Sequence, residues 1–170
     1  KFSKLVRVVL ETSDHNQIPL AQELEMLSVY VQLEELRLQE KITYTPIVDE
    51  KIDVENTFVP PMILQPFIEN AIWHGLMPDK EKKNGQINVF IQAEGQNLKC
   101  TIEDNGIGRE KARTLQSDAL WKRRSMGMKI TEDRLRLMNK EKFPELIHIT
   151  DLKEKDVAVG TRVDIHIPYE

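Results

Sequence analysis

The chain has 170 residues, 40% of them hydrophobic and 31% charged, and a formal net charge of −4. That length suits one well-packed domain with a short extra segment, and a mildly acidic balance argues against broad nucleic-acid or membrane-surface binding, which needs a basic face. The single cysteine, Cys100, excludes an internal disulfide and is too little for a zinc site, while no apolar run nears the roughly 20 residues that span a bilayer; a reducing cytoplasm is the expected compartment.

Phe2, Leu5, Val8 and Val9 already show helical spacing and no methionine precedes them, so the chain reads as a piece of something longer, with a helix over residues 2–13. A turn at residues 13–16 and Pro19 leads to a longer helix from Leu20 to Leu38. There Leu20, Leu24, Leu27, Val31 and Leu38 fall on one stripe, leaving Glu23, Glu25, Glu34, Glu35 and Arg37 to the rest of the surface. The two helices read as a hairpin or helical arm.

Ile42, Tyr44, Ile47 and Val48 then suggest a strand, and Pro46 puts it at a sheet edge. Pro60 and Pro61 open an apolar segment over 62–75. Pro61 suits a first helical turn, Pro66 a kink or a delayed start, and Gly75 a residue just past the helix end. Alternating runs at 87–91 and 98–102, separated by Gly95, form a hairpin. Residues 105–126 are polar, basic and glycine-containing, with short helical stretches at most. A helix over 128–139 follows, with Ile130, Leu135, Leu137 and Met138 on its apolar side, and two last strands span 147–152 and 157–167. The order predicts an α/β (α+β) two-layer sandwich, a mixed sheet packed on helices, preceded by a helical arm over 1–39 with the sandwich over 40–170.

The sharpest clues are polar side chains in apolar phase. Leu98, Cys100 and Ile102 share a strand face, and the next residue in that phase is Asp104. A buried carboxylate needs a partner, although Asp-Asn-Gly is also a common turn sequence. Thr161 is the one hydroxyl in the row Val157, Val159, Val163, Ile165 and Ile167, and threonine is a good strand residue in its own right. Glu69 and Asn70 interrupt an apolar helix in which Ile63, Phe67, Asn70 and His74 form a stripe; a structural hydrogen bond would account for either alone, and the Asn70 amide oxygen is also a hard ligand suited to magnesium. Gly106 and Gly108 allow close backbone approach to a flat ligand. Gly127 stands just before the expected helix of 128–139, where free N–H groups favour phosphate. Between them lie Arg109, Lys111, Arg113, Lys122, Arg123 and Arg124, read either as phosphate neutralisers or as an ordinary solvated loop.

In this order the pieces resemble the ATP-binding domain of the GHKL superfamily, which groups histidine kinases with gyrase-type ATPases, Hsp90 and MutL. Residues 67–75 look like the N box, 104–108 like the first glycine box, 125–128 like the second and 160–162 like the third. The Pro60-Pro61-Met62-Ile63-Leu64-Gln65-Pro66 lead-in and the upstream Leu33-Glu34-Glu35-Leu36-Arg37 are similar to the LytS/YehU-like sensor histidine kinases. The resemblance implies a Bergerat fold binding ATP and Mg²⁺. Asp104 would meet the adenine amino group with Thr161 nearby, Gly106 and Gly108 would line the adenine pocket, Asn70 would hold the metal, and His74, in the same box, would be among the nucleotide-binding residues. Ser125, Gly127 and Met128 would meet phosphate beneath a lid over 109–126. Ser125 stands where many relatives have glycine.

The resemblance gives Glu69 the place of the general base of gyrase-type ATPases, or in a kinase that of a helper activating the attacking histidine. It further implies a homodimeric kinase anchored in a bacterial inner membrane, with this part cytoplasmic and a response regulator as partner. No Pro-His-Phe-type acceptor motif occurs, and His15, His74, His148 and His166 do not fit one, so the expectation is ATP binding without autophosphorylation by this piece alone. The competing expectations are an ATP hydrolase using Glu69 as base, and an interaction module that has lost nucleotide.

Overall fold

A computed structural model describes residues 16–77, 84–95, 97–115, 118–138 and 145–169, with 118–125 as backbone only. The helix expected over 2–13, and His15, lie outside them. In chain order the elements are β1 (Ile18–Pro19), α1 (Leu20–Leu38), β2 (Lys41–Val48), β3 (Phe58–Val59), α2 (Gln65–Asn70) running into a π-helical turn (Ala71–Leu76), β4 (Asn84–Glu94), β5 (Asn97–Asp104), α3 (Arg109–Leu115), α4 (Asp118–Met138), β6 (Ile147–Glu154) and β7 (Val157–Pro168).

The five-stranded sheet has the order β2-β4-β5-β7-β6, with β2 parallel to β4 and the other pairs antiparallel. It is mixed, as expected, and Pro46 lies on its edge strand, where a missing N–H can face away from the ladder. Period-2 alternation divides the two faces. Ile87, Val89 and Ile91 of β4, Leu98, Cys100 and Ile102 of β5, and Ile165 and Ile167 of β7 join one buried cluster with Leu20, Leu27 and Val31 of α1 and with Phe67, Ile68 and Ile72. Each such side chain contributes about 1.5–3 kcal/mol by leaving water. The opposite face carries charge: the Thr101 hydroxyl donates to Asp164 at 2.6 Å, and Arg162 reaches Asp164 at 3.2 Å and Glu103 at 3.4 Å. One apolar and one charged face make the two-layer sandwich.

Four local expectations are corrected. Residues 105–126 hold more helix than expected, since α4 begins at Asp118, ten residues before Met128. On α4 the inward stripe is Met128, Thr131 and Leu135, whereas Ile130 and Leu137 are exposed. Gly75 does not terminate a helix: it lies inside the π turn, which closes with Met77 N–H donating to the Ile72 carbonyl at 2.8 Å. Glu23, expected on the solvated face, is 0% exposed, because it shares the i, i+3, i+7 phase of Leu20 and Leu27.

Candidate functional site

Between the inner face of the sheet and α2 lies a cavity of about 130 Å³. Its floor follows from strand register. Ile102 pairs with Val163, and Val163 with Ile149, so three branched aliphatic residues stand side by side on one face of β5, β7 and β6. The adjacent row is polar: Asp104 opposite Thr161, and Thr161 opposite Asp151. Phe67, Asn70, Ala71, His74 and Gly75 form the wall on the α2 side, with Gly108, Arg109 and Met128 closing the rim. Asp104, Thr161, Asn70, His74, Gly108 and Met128, named from the sequence, therefore share one cavity.

Asp104 is buried, and its Oδ1 accepts the Gly106 N–H at 2.8 Å. Turn stabilisation and burial in the cavity are both properties of this carboxylate. The backbone around it is crowded. A Cβ on Gly106 would lie 2.2 Å from the Gly75 carbonyl carbon, and a Cβ on Gly75 would lie 2.6 Å from Asp104 Oδ1. The Ile107 N–H donates to the Gly75 carbonyl at 3.0 Å. Two glycines far apart in sequence thus let the N box and the β5–α3 loop touch through bare backbone. Gly108 adopts φ +76°, where an L side chain is disfavoured. Gly106 itself lines a neighbouring outer groove rather than the cavity.

The Asn70 Nδ2 is buried with no hydrogen-bond partner among the described residues, and the residue stands where α2 gives way to the π turn. Such turns recur at functional sites. Glu69 does not line the cavity; half-buried, it accepts a bond from Gln65 Nε2 at 2.9 Å. Gly127 does not line it either. It sits within α4, so the free helix N-terminus expected there is not formed. The side chain of Ser125 lies outside the described residues. His148 pairs with Glu145 at 3.2 Å and His166 with Glu94 at 3.1 Å, both away from the cavity.

Sequence reasoning missed Asp151. Its carboxylate takes a two-pronged bond from Arg109, Nε to Oδ1 at 3.0 Å and Nη2 to Oδ2 at 3.2 Å, and that guanidinium holds the carboxyl below the usual carboxylate range. The signal was present, since Ile147, Ile149 and Asp151 repeat the pattern of Leu98, Cys100, Ile102 and Asp104. Among the described residues no cluster of three or more His, Cys, Asp and Glu could hold a metal by itself, and no helix is long and apolar enough to cross a membrane.

Comparison with known proteins bears on the family and the fold. The family described as Histidine kinase matches residues 1–42. Sensor histidine kinase YpdA of Escherichia coli (strain K12) is 26% identical over 169 residues, 99% of this chain and 28% of that protein. Sensor protein LytS of Enterococcus faecalis is 33% identical over 115 residues, 68% of this chain and 19% of that protein. The chain spans under a third of the length of these curated relatives. Among solved structures, the histidine kinase domain of the Erythrobacter litoralis EL346 blue-light activated histidine kinase superposes with a TM-score of 0.60 at 15% identity, covering 97% of this chain and 71% of that one. The catalytic domain of histidine kinase ThkA gives 0.52 at 14% identity, covering 89% and 93%. By sequence the chain groups with the LytS-like sensor histidine kinases, and its sheet and helices have the fold of a histidine kinase catalytic domain.

Proposed function

We propose that residues 40–170 bind ATP with Mg²⁺, and that the intact protein passes the γ-phosphate to a histidine on an upstream helix and then to a response regulator. The observation that carries this reading is that Asp104 and Asn70, on facing elements, line one cavity. A purine edge presents an exocyclic amino group, and the buried Asp104 carboxylate is the acceptor for it. The Gly106 N–H, already bonded to Oδ1, holds that carboxylate in orientation. The row Ile102, Val163 and Ile149 supplies a flat apolar surface for a ring, and Thr161 a hydroxyl beside the carboxylate.

The Asn70 site fits a magnesium ion of the kind held by few protein oxygens and mainly by phosphates. Its orphaned amide nitrogen exchanges with the oxygen by a half-turn of the side chain, which presents a hard ligand at the same point. When bound, the ion would neutralise phosphate charge, which with positioning is most of what phosphoryl transfer asks of a protein. The cavity of about 130 Å³ is smaller than the roughly 300–1,000 Å³ of common ligand clefts. On this reading a triphosphate is accommodated by α4 yielding, and opening its first turns would expose the N–H groups near Ser125, Gly127 and Met128. Residues 1–39 act as the arm that joins this unit to the acceptor region of a dimeric, membrane-anchored kinase. On this reading Glu69, which does not line the cavity, assists the acceptor histidine rather than a bound water.

Calorimetry with ATP and ADP tests the adenine role. Asp104→Asn keeps the bond to Gly106 but loses the charge, and should weaken both nucleotides by about 10- to 100-fold, since a hydrogen bond to a charged group contributes roughly 1.5–3 kcal/mol. Equal binding by variant and wild type would remove Asp104 from the site. Steady phosphate release by the chain, lost in Glu69→Ala, would instead favour the hydrolase.

A further inference from the structure

Outside the cavity lining, α1 carries a second buried carboxylate. Glu23 is fully enclosed, and its two oxygens are spent on the lead-in to α2: Oε2 accepts the Met62 N–H at 2.8 Å and Oε1 the Leu64 N–H at 3.0 Å. Leu64 is the residue before the first turn of α2 and offers no side-chain cap of its own. Met62 sits at φ +56°, an uncommon conformation for a side-chain-bearing residue. The segment thus holds a strained shape, and two of its N–H groups are satisfied by a residue about forty positions upstream. From the other side Arg134 of α4 donates to the Pro61 carbonyl at 3.1 Å. One short segment is gripped by the arm helix and by the helix that carries Gly127.

We propose that Glu23 is a positioning residue for the metal-binding end of the site: from the arm it fixes the start of α2, and through α2 the place of Asn70. Asn70 lies six residues beyond Leu64, less than two helical turns, so a shift or rotation at the capped end is carried to it with little loss. The arm makes a second contact at its far end, on the π turn that continues α2, where the Arg37 guanidinium lies 4.3 Å from the Trp73 ring centroid. A displacement of α1 is therefore carried more directly to Asn70, which belongs to α2, than to Asp104, which the sheet holds. By reciprocity, a metal–nucleotide complex that fixes Asn70 also fixes the arm.

This inference rests on the proposed role of Asn70, and the experiment separates the two. ADP affinity is measured by calorimetry with Mg²⁺ and with a chelator, in wild type, Asn70→Ala, Glu23→Gln and Glu23→Asp. Wild type should gain affinity from Mg²⁺ and Asn70→Ala should lose that gain. Glu23→Gln, nearly isosteric, should reduce the gain about 10- to 100-fold, as loss of a group that orients a metal ligand does, with metal-free ADP binding unchanged. Glu23→Asp, which keeps the charge but shortens the reach, should show a smaller loss of the same selective kind, and it carries the test if the glutamine variant does not fold. No Mg²⁺-dependent gain in wild type would sink the Asn70 reading itself. A gain lost in Asn70→Ala but intact in a folded Glu23 variant would overturn the positioning role while leaving that reading in place. Equal loss with and without metal would also overturn it, since it marks a general structural effect.

Discussion

Around Asp104 each group is held from several directions. The carboxylate lies in a strand between two others, accepts a backbone N–H from the following turn, and rests against the bare backbone of Gly75. The residues expected to meet phosphate are built otherwise. Gly127 lies within a long helix, and its nearest outside neighbour for an added Cβ is Pro66 at 4.0 Å. Asn70 stands at a break in helical geometry with its amide nitrogen unsatisfied among the described residues. The end proposed to take adenine is formed by sheet register and glycine contacts, whereas the end proposed to take phosphate is built from helical residues without such ties.

The largest effect expected from this contrast falls on stability at the rigid end. In Gly106→Ala the new methyl would meet the carbonyl carbon and Cα of Gly75 at 2.2 and 2.3 Å. Both are backbone atoms, so neither can swing aside. A loss above about 4 kcal/mol is expected, as for other core clashes at the extreme of single-residue effects, and urea unfolding would report it. An alanine variant as stable as wild type would mean that the two loops are not in close approach, and that the adenine end is no more preformed than its counterpart.

Next in size is the joint between the two ends. Burial pushes the Glu23 carboxyl up from its ordinary 4.5 to about 7, against the opposing pull of the Leu64 and Met62 N–H groups and of Arg134. The groups facing it are Arg134 from α4, Tyr44 from β2 and Cys100 from β5, and burial keeps the last two neutral through this range. With a folded-state pKa raised above the unfolded one, the associated stability is fully present below pH 4.5 and is lost as pH rises through about 7. A shift of that size corresponds to on the order of 3 kcal/mol. Unfolding measured from pH 4.5 to 8 should decline in wild type and be flatter by that amount in Glu23→Gln. The depressed carboxyls of Asp151 and Asp164 act with the opposite sign and at lower pH, so they do not mimic this slope. Parallel curves for the two proteins would remove Glu23 as the titrating group.

How much of this was legible in the chain depended on one rule, that a polar residue in apolar phase is spoken for. Applied to β5 and to the N box, it found Asp104 and Asn70. The same rule applied to Leu20, Glu23 and Leu27, or to Ile147, Ile149 and Asp151, finds the other two buried or paired carboxylates. They escaped because charges on an amphipathic helix and at a strand end are ordinarily solvated. The start of α4 was illegible for a different reason. Residues 118–127 lack an apolar period, and their tendency to helix lies in residues such as Ala119, Leu120, Lys122 and Arg123, whose intrinsic propensity is high. Periodicity alone therefore took Gly127 for a boundary. It also put Ile130 on the core side, one residue out of phase with Thr131. Pairings across strands, such as Asp104 with Thr161 and Asp151, follow from register, which alternation within a single strand does not specify.

The smallest effect is the most discriminating. Glycine in a helix interior costs about 1 kcal/mol relative to alanine, and the space beside Gly127 admits a methyl, with Pro66 at 4.0 Å. Gly127→Ala should therefore stabilise the ligand-free protein by about 1 kcal/mol, a rise of roughly 2–4 °C in Tm for a chain of this size. If phosphate binding requires α4 to open near this residue, the same change makes opening harder by that amount. ATP should then bind about fivefold more weakly, while adenosine, held only at the sheet end, binds as before. The variant would be more stable and worse at its task, which a purely structural glycine does not produce. Were ATP affinity unchanged in a stabilised variant, phosphate would be met by α4 as it stands, and the distinction between a preformed and a yielding end would no longer hold.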